Sequence, residues 1–391
     1  MASALEGIRV IDLAQHMAGP GTSMYLADQG AEVVKVEPPG KGDSSRTLGM
    51  TPFVRENSRV FMSFNRNKRS ITLDVRQPRG QEVLRKLVER SDVLIHNLRP
   101  GAAERLGLSY EALAEINPRL VYGSITAYGT KGPYAHKGGY DRMTQGMAGA
   151  MYRRGPDGVP ITAGVWISDC SIPMLMAYGI MCALWARERT GRGQKVETSL
   201  LQAALAMQLN DLILVENDPT AAEDYGGPTY GVFRCADDTY INVGALQADQ
   251  FARLCKVLEL EHLAEDPRFS DPAHAAEFRA DVFPIIEELF TYKPAREWLA
   301  ILDEVDVPCA PILERRQVFF EPQIVENEMV VPLQHPKVGP TRVLGVPVRL
   351  SDTPGAIRRP APLLGQHTAE VLRELGYSPE QVQAMRDEAV I

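Results

Sequence analysis

The chain has 391 residues, enough for two or more domains, with a net charge of −8, 45% hydrophobic and 24% charged residues. That balance suits a soluble globular protein and argues against nucleic acid or a membrane surface as partner. Five cysteines, at 170, 182, 235, 255 and 309, show no metal spacing and no CxxC pair. With no evident secretory leader in Met1–Arg9 and an apolar run, Ile172–Trp185, too short to span a bilayer, we expect a cytoplasmic protein.

Short β-rich runs at Ile8–Leu13, Ala31–Glu37, Ser70–Val75, Asp92–Asn97 and Leu120–Ile125 alternate with helical patterns at Gly21–Gln29, Arg79–Arg90 and Tyr110–Ile116. The alternation predicts a large Rossmann-like, doubly wound parallel sheet whose ligands sit at the carboxyl ends of the strands. Those ends carry the unusual sequence: His16-Met-Ala-Gly-Pro-Gly-Thr, Glu37-Pro-Pro-Gly-Lys-Gly-Asp, Asn97-Leu-Arg-Pro-Gly, and the glycine-rich run from Ala127 to Asp141. Asp169 then opens an expected helix over Ile172–Arg189 with Pro173 in its first turn, and Lys195–Leu200 reads as a further strand.

The composition turns to Asp, Glu, Pro and Gly around Asn217–Thr229, a boundary signal. Beyond it Tyr230–Cys235 and Tyr240–Val243 form a hairpin pattern, followed by helical patterns at Ala248–Leu258, Arg279–Phe290 and Ala295–Val305. We therefore expect a large domain from 1–217, a smaller α+β domain from 225–325, and a segment from 330–391 returning to the large domain. The proline-rich stretch Val331–Pro362 reads as extended, ending in a helix over Thr368–Leu375.

Gly19-Pro-Gly21-Thr-Ser-Met24 matches only two positions of G-x-G-x-x-G, and Met24 would crowd the contact that the third glycine permits, so a tight turn outweighs a dinucleotide site. No P-loop, H-E-x-x-H or G-x-S-x-G occurs. Lys35, Arg46, Lys68, Arg69, Arg76, Arg99, Arg105 and Lys137 all lie near strand ends or in loops. Singly each is an ordinary surface charge; together they suit a phosphorylated ligand such as coenzyme A. His16 sits at a strand end and His136 in a glycine-rich loop, while His96 reads as a structural histidine inside an apolar strand. None has a triad or metal spacing.

Asp169 carries two readings. Before an apolar helix it is a good N-cap, and on local grounds capping outweighs catalysis. The same position suits a nucleophile: the helix N-terminus would keep the carboxylate ionised near neutral pH, and nearby N–H groups could stabilise an oxyanion.

The chain resembles the class III CoA-transferases, the formyl-CoA transferase and carnitine-CoA transferase type, with the related α-methylacyl-CoA racemases. The resemblance runs nearly end to end, on Gly7-Ile-Arg-Val-Ile-Asp-Leu with Ala18-Gly-Pro, Gly30-Ala-Glu-Val-Val-Lys-Val-Glu-Pro-Pro-Gly and Asn67-Lys-Arg-Ser-Ile-Thr-Leu-Asp. It continues through Asp92-Val-Leu-Ile-His-Asn-Leu-Arg-Pro-Gly, Thr190-Gly-Arg-Gly-Gln-Lys-Val and Ala361-Pro-Leu-Leu-Gly-Gln-His-Thr. It implies that Asp169 attacks an acyl-CoA thioester, passing through an aspartyl–acyl anhydride and an aspartyl-CoA thioester before CoA reaches a carboxylic acid acceptor. It implies CoA contacts at Met17 and Ala18, at Leu73, Asp74, Val75 and Arg76, at Asn97, Leu98 and Arg99, and at Arg105 and Lys137. It also implies an interlocked homodimer, acyl-CoA as substrate and no tightly bound cofactor or metal.

Departures sharpen the expectation. Formyl-CoA transferase carries a glutamine where this chain has Met17 and an arginine where it has Pro38, and its glycine-rich small-domain loop has only Gly226-Gly227 and Gly244 as counterparts. These argue against oxalate or formate. Tyr152-Arg153-Arg154 replaces a usually uncharged segment, so we expect Arg153 or Arg154 to face the free carboxylate of a dicarboxylic acyl group; equal activity of Arg→Ala variants on mono- and dicarboxylates would exclude that role. The competing enzyme is an acyl-CoA racemase, whose histidine–aspartate pair is replaced here by Tyr140-Asp141, with His136 displaced. A non-catalytic CoA-binding protein, with Asp169 only a cap, is the third reading.

Overall fold

The computed structural model describes residues 2–49, 57–214, 216, 229–270 and 274–391. Six strands form one parallel sheet: β1 (Arg9–Asp12), β2 (Glu32–Glu37), β3 (Lys68–Thr72), β4 (Val93–His96), β5 (Val121–Thr126) and β6 (Lys195–Ser199). Their order is β3-β2-β1-β4-β5-β6, so the winding direction reverses between β1 and β4, the switch point at whose carboxyl ends such sheets bind ligands.

The strands alternate between two cores, as a sheet covered on both faces must. Ile11, Val34, Leu94 and Tyr122 pack with the Pro78–Glu89 and Tyr110–Ile116 helices and with the C-terminal helices Thr368–Glu374 and Pro379–Asp387. Val10, Val33, Val93 and Val121 face the other way, toward helices Ala18–Asp28, Ile167–Thr190 and Leu200–Ala206. The 24-residue Ile167–Thr190 helix is longer than the sequence suggested, and by length and composition alone it could cross a membrane. One side of it, with Ile172, Met176, Ile180 and Leu184, is core; the other side, with Met174, Tyr178, Met181 and Trp185, is exposed.

Contacts divide the chain into one compact unit of residues 1–213 and 325–391 and another of 214–324. In the first, the C-terminal segment returns to β3: the Asp74 N–H donates to the Val390 carbonyl at 2.7 Å, and Arg69 pairs with Glu370 and Glu374. The second has an antiparallel sheet of β7 (Tyr230–Arg234), β8 (Tyr240–Gly244) and β9 (Cys309–Pro311) over an aromatic core that includes Phe233, Phe251, Phe278 and Trp298. The anticipated boundary at Asn217–Thr229 and the glycines Gly226 and Gly227 fall outside the described residues, apart from Thr229.

Two expectations change. The stretch from Val331 is not simply extended: β10 (Val330–His335) and β11 (Gly339–Leu344) form a hairpin, with Pro332 and Pro340 tolerated because each strand has only one neighbour. The Asp169 helix starts at Ile167, which places Pro173 inside it.

Candidate active site

The segment Ala14–Met17 links β1 to the Ala18–Asp28 helix at the switch point and has no regular secondary structure to hold its backbone. Side chains from the surrounding strand ends do that instead. The Ala14 N–H donates to Asp12 Oδ1 (3.0 Å), and Lys35 Nζ donates to the Ala14 carbonyl (2.8 Å). Asn97 grips Gln15 from both sides, accepting its N–H (2.9 Å) and donating to its carbonyl (2.7 Å). Asp43 Oδ1 accepts the His16 N–H (3.0 Å), and Lys68 Nζ reaches the Pro20 carbonyl (2.7 Å). With its ends so fixed, His16 is held at φ 68°, a left-handed conformation uncommon outside glycine.

This arrangement corrects part of the basic-residue reading. Lys35 and Lys68 are fully buried, Lys35 paired with Asp43 at 2.8 Å and Lys68 with Asp12 at 2.9 Å. Arg46 is buried against Glu37, and Arg69 is taken by Glu32, Glu370 and Glu374. None of the four is left for a phosphate, because a charge in a sheet interior needs its counter-ion there. Burial pushes the Lys68 ammonium down to about 8 against the pull of Asp12. Burial would raise the Asp43 carboxyl, but the Lys35 ammonium and the N–H donors hold it at about 2.

Asp169 is the third residue of its helix, not the cap. Trp166 occupies the cap position and offers no acceptor. Asp141, buried at the start of the Asp141–Met147 helix, caps from outside: its Oδ1 accepts the N–H of Ser168 (2.8 Å) and of Asp169 (3.3 Å). Gln145 fixes this carboxylate through Oδ2, donates to the Val165 carbonyl (3.1 Å) and accepts the Ala163 N–H (3.0 Å). Burial, reinforced by the Asp141 charge, pushes the Asp169 carboxyl up to about 7. The expected pull of the helix N-terminus toward the ionised form is opposed here: Asp141 accepts the N–H groups of Ser168 and Asp169, and its charge disfavours a second one.

Two further features shape the site. Pro173 lacks the N–H that would bond the Asp169 carbonyl one turn earlier. Its ring lies so close to Gly21 that a Cβ there would sit 2.5 Å from Pro173 Cγ, so the first turns of the Ala18–Asp28 and Ile167–Thr190 helices meet. Met17 provides no side-chain cap and Pro20 no N–H, leaving Ala18 and Gly19 as the donors at that helix start. The Tyr140 ring stands edge-on to His16, with centroids 5.9 Å apart.

The other expected contacts spread along the strand ends. Leu73, Asp74, Val75 and Arg76 follow β3; Arg76 is exposed and ion-paired to Asp74 at 2.8 Å, holding that carboxyl at about 2. Leu98 donates its N–H to His96 Nδ1 (3.2 Å), and burial pushes that imidazole down to about 4, as befits a structural histidine. Arg99 lies against Gly138, where a Cβ would be 3.7 Å from its guanidinium, and adjacent Lys137 places its ammonium 3.7 Å over the Tyr134 ring. Arg105 is exposed near Gly101. Arg153 and Arg154 lie on an exposed segment, with the Arg153 guanidinium beside the Tyr152 ring. Sequence reasoning missed the roles of Asp141 and Gln145, whose only signal was polar residues one turn apart. Among the described residues no group of three His, Cys, Asp or Glu side chains could hold a metal ion.

Fold and site define an α/β protein of Rossmann strand order with a carboxyl group at the topological switch point. The chain belongs to CoA-transferase family III, whose profile matches residues 5–368, and it is a CoA-transferase. Succinyl-CoA:glutarate CoA-transferase of Mus musculus is 38% identical over 378 residues, covering 95% of this chain and 86% of that one. Formyl-CoA:oxalate CoA-transferase of Streptomyces coelicolor is 36% identical over 414 residues, spanning both chains in full. A crystal structure of a CAIB/BAIF family protein from Brucella suis superimposes with a TM-score of 0.84 at 34% identity, covering 96% of this chain and all of that one.

Proposed function

We propose that this CoA-transferase moves CoA between short dicarboxylic acids through covalent intermediates on Asp169. The observation that carries the proposal is a half-buried carboxyl, poised near neutrality, where two helix starts meet at the switch point. A carboxylate more basic than ordinary aspartate is the stronger nucleophile once ionised.

In the proposed course the Asp169 carboxylate attacks the thioester carbonyl and expels CoA thiolate, forming a mixed anhydride. The thiolate attacks the aspartyl carbonyl, releasing the first acid and leaving an aspartyl-CoA thioester. The acceptor carboxylate attacks that carbonyl, giving a second anhydride and free thiolate. Attack of the thiolate on the new acyl carbonyl yields product acyl-CoA and restores Asp169. The N–H groups of Ala18 and Gly19, at the start of the neighbouring helix, would serve as donors to the developing oxyanions.

CoA would lie along the strand ends, past Met17 and Ala18, with Leu73, Asp74, Val75, Arg76, Asn97, Leu98, Arg99, Arg105 and Lys137 as its contacts. The dicarboxylate reading rests on the murine relative's name and on Met17 and Pro38, which depart from the formyl-CoA transferase pattern. A cytoplasmic homodimer fits the exposed apolar stripe of Met174, Tyr178, Met181 and Trp185, which a second copy would cover. Purified protein incubated with succinyl-CoA and labelled glutarate should exchange CoA, and Asp169→Asn should not. Exchange of the α-proton in deuterated water without any acceptor would favour a racemase instead.

A further inference from the structure

We propose that His16, with Ser44 and Tyr140, is the specificity-determining group that receives the distal carboxylate of a dicarboxylic acyl chain. The inference rests on the proposed transfer at Asp169 and names the residue that reads the second charge.

Three observations carry it. First, the backbone around His16 is over-determined: Asp12, Lys35, Asp43, Lys68 and Asn97 between them bind Ala14, Gln15, His16 and Pro20, holding His16 left-handed. Such an outlier at the switch point implies a fixed side-chain direction with a use. Second, the neighbouring cations Lys35, Arg46 and Lys68 are consumed by Asp43, Glu37 and Asp12, so they cannot serve a substrate. The half-buried imidazole at this end of β1 is held by the Ser44 hydroxyl and, among the described residues, by no carboxylate. Third, it has polar company, with Ser44 Oγ 3.1 Å from its Nε2 and the exposed Tyr140 ring edge-on to it. Tyr140 directly precedes Asp141, whose carboxylate accepts the Asp169 N–H, so the chain links this cluster to the helix start that carries Asp169. An imidazole with two hydroxyls can donate several hydrogen bonds to one carboxylate.

The test uses the full-length enzyme and compares kcat/KM for succinyl-CoA with that for butyryl-CoA at a fixed acceptor. His16→Gly removes the imidazole and accepts the left-handed backbone without strain, whereas His16→Asn tolerates the same backbone and keeps an amide donor. We expect the succinyl-to-butyryl ratio to fall about tenfold or more in His16→Gly, mainly through KM, and to recover in part in His16→Asn. An unchanged ratio in His16→Gly, or a ratio altered instead by Arg153→Ala or Arg154→Ala, overturns the assignment while leaving transfer at Asp169 standing. Wild-type protein that forms no Asp169 adduct with either thioester overturns both.

Discussion

The carboxylate of Asp141 accepts the backbone N–H of Asp169 at 3.3 Å, so the candidate nucleophile sits on a helix capped by a second carboxylate. That relationship explains two properties together. It fixes the start of the helix, because Asp141 also holds Ser168, and it places a negative charge beside the Asp169 carboxyl. Among the described residues Cys170 follows on the same helix and is coupled to both carboxylates, Gln145, which is neutral, binds Asp141, and the Arg142 guanidinium stands 5.5 Å from the Trp166 ring at the helix start.

The pH dependence of transfer follows. Attack requires ionised Asp169, so kcat/KM should climb with pH and level off above about 7. Asp141→Asn keeps an oxygen for the two N–H groups and removes the charge. The acid limb should then move to lower pH by about half a unit to one unit. A limb that stays in place, or moves up, contradicts the electrostatic part of the account.

Stability should carry the same signature with opposite sense. Asp169 has a folded-state pKa of about 7, above its unfolded value of 3.8, so the folded state binds the extra proton. Its contribution is present at acid pH and is lost as pH rises from about 4 to about 7. Asp169→Asn should therefore raise stability by about 1–3 kcal/mol at pH 8, with the gain shrinking as pH falls and vanishing only below about pH 4, as read by chemical denaturation.

The buried ion cluster beneath the turn gives a third expectation. Lys68→Met leaves Asp12 partly unpaired in the sheet interior and frees the Pro20 carbonyl. Loss of a partner from such a pair costs about 3–5 kcal/mol, visible as a lowered denaturation midpoint. Arg76→Met, which removes a surface pair with Asp74, should leave the denaturation midpoint nearly unchanged.

Gly21 and Pro173 provide a fourth. A Cβ at Gly21 meets the proline ring at 2.5 Å, so Gly21→Ala forces the two helix starts apart. We expect a loss of about 1–3 kcal/mol. Pro173→Ala in the same chain should recover part of it, because a smaller side chain then faces the new methyl.

Much of the large unit was legible because its strands are short apolar runs broken by glycine-rich turns, and their alternation with helices implies a doubly wound sheet, although the strand order is visible only in the fold. The helix from Ile167 was misjudged at its start because Pro173 looks like a first-turn residue. A carboxylate distant in sequence supplies the cap that lets the helix begin five residues earlier. The charges of Lys35 and Lys68 were misread for a related reason: in sequence a lysine near a strand end resembles a ligand group, and only the fold reveals Asp12 and Asp43 across the sheet. Asp141 and His16 left little trace, since their roles depend on contacts between segments far apart in the chain.

The central claim is that Asp169 carries the acyl and CoA groups covalently. Incubating the enzyme with succinyl-CoA, quenching with hydroxylamine and mapping the peptides by mass spectrometry tests it most directly. The account predicts an aspartyl hydroxamate at Asp169, dependent on the thioester and absent from Asp169→Asn. An unmodified Asp169 in enzyme that turns over at full rate would contradict it.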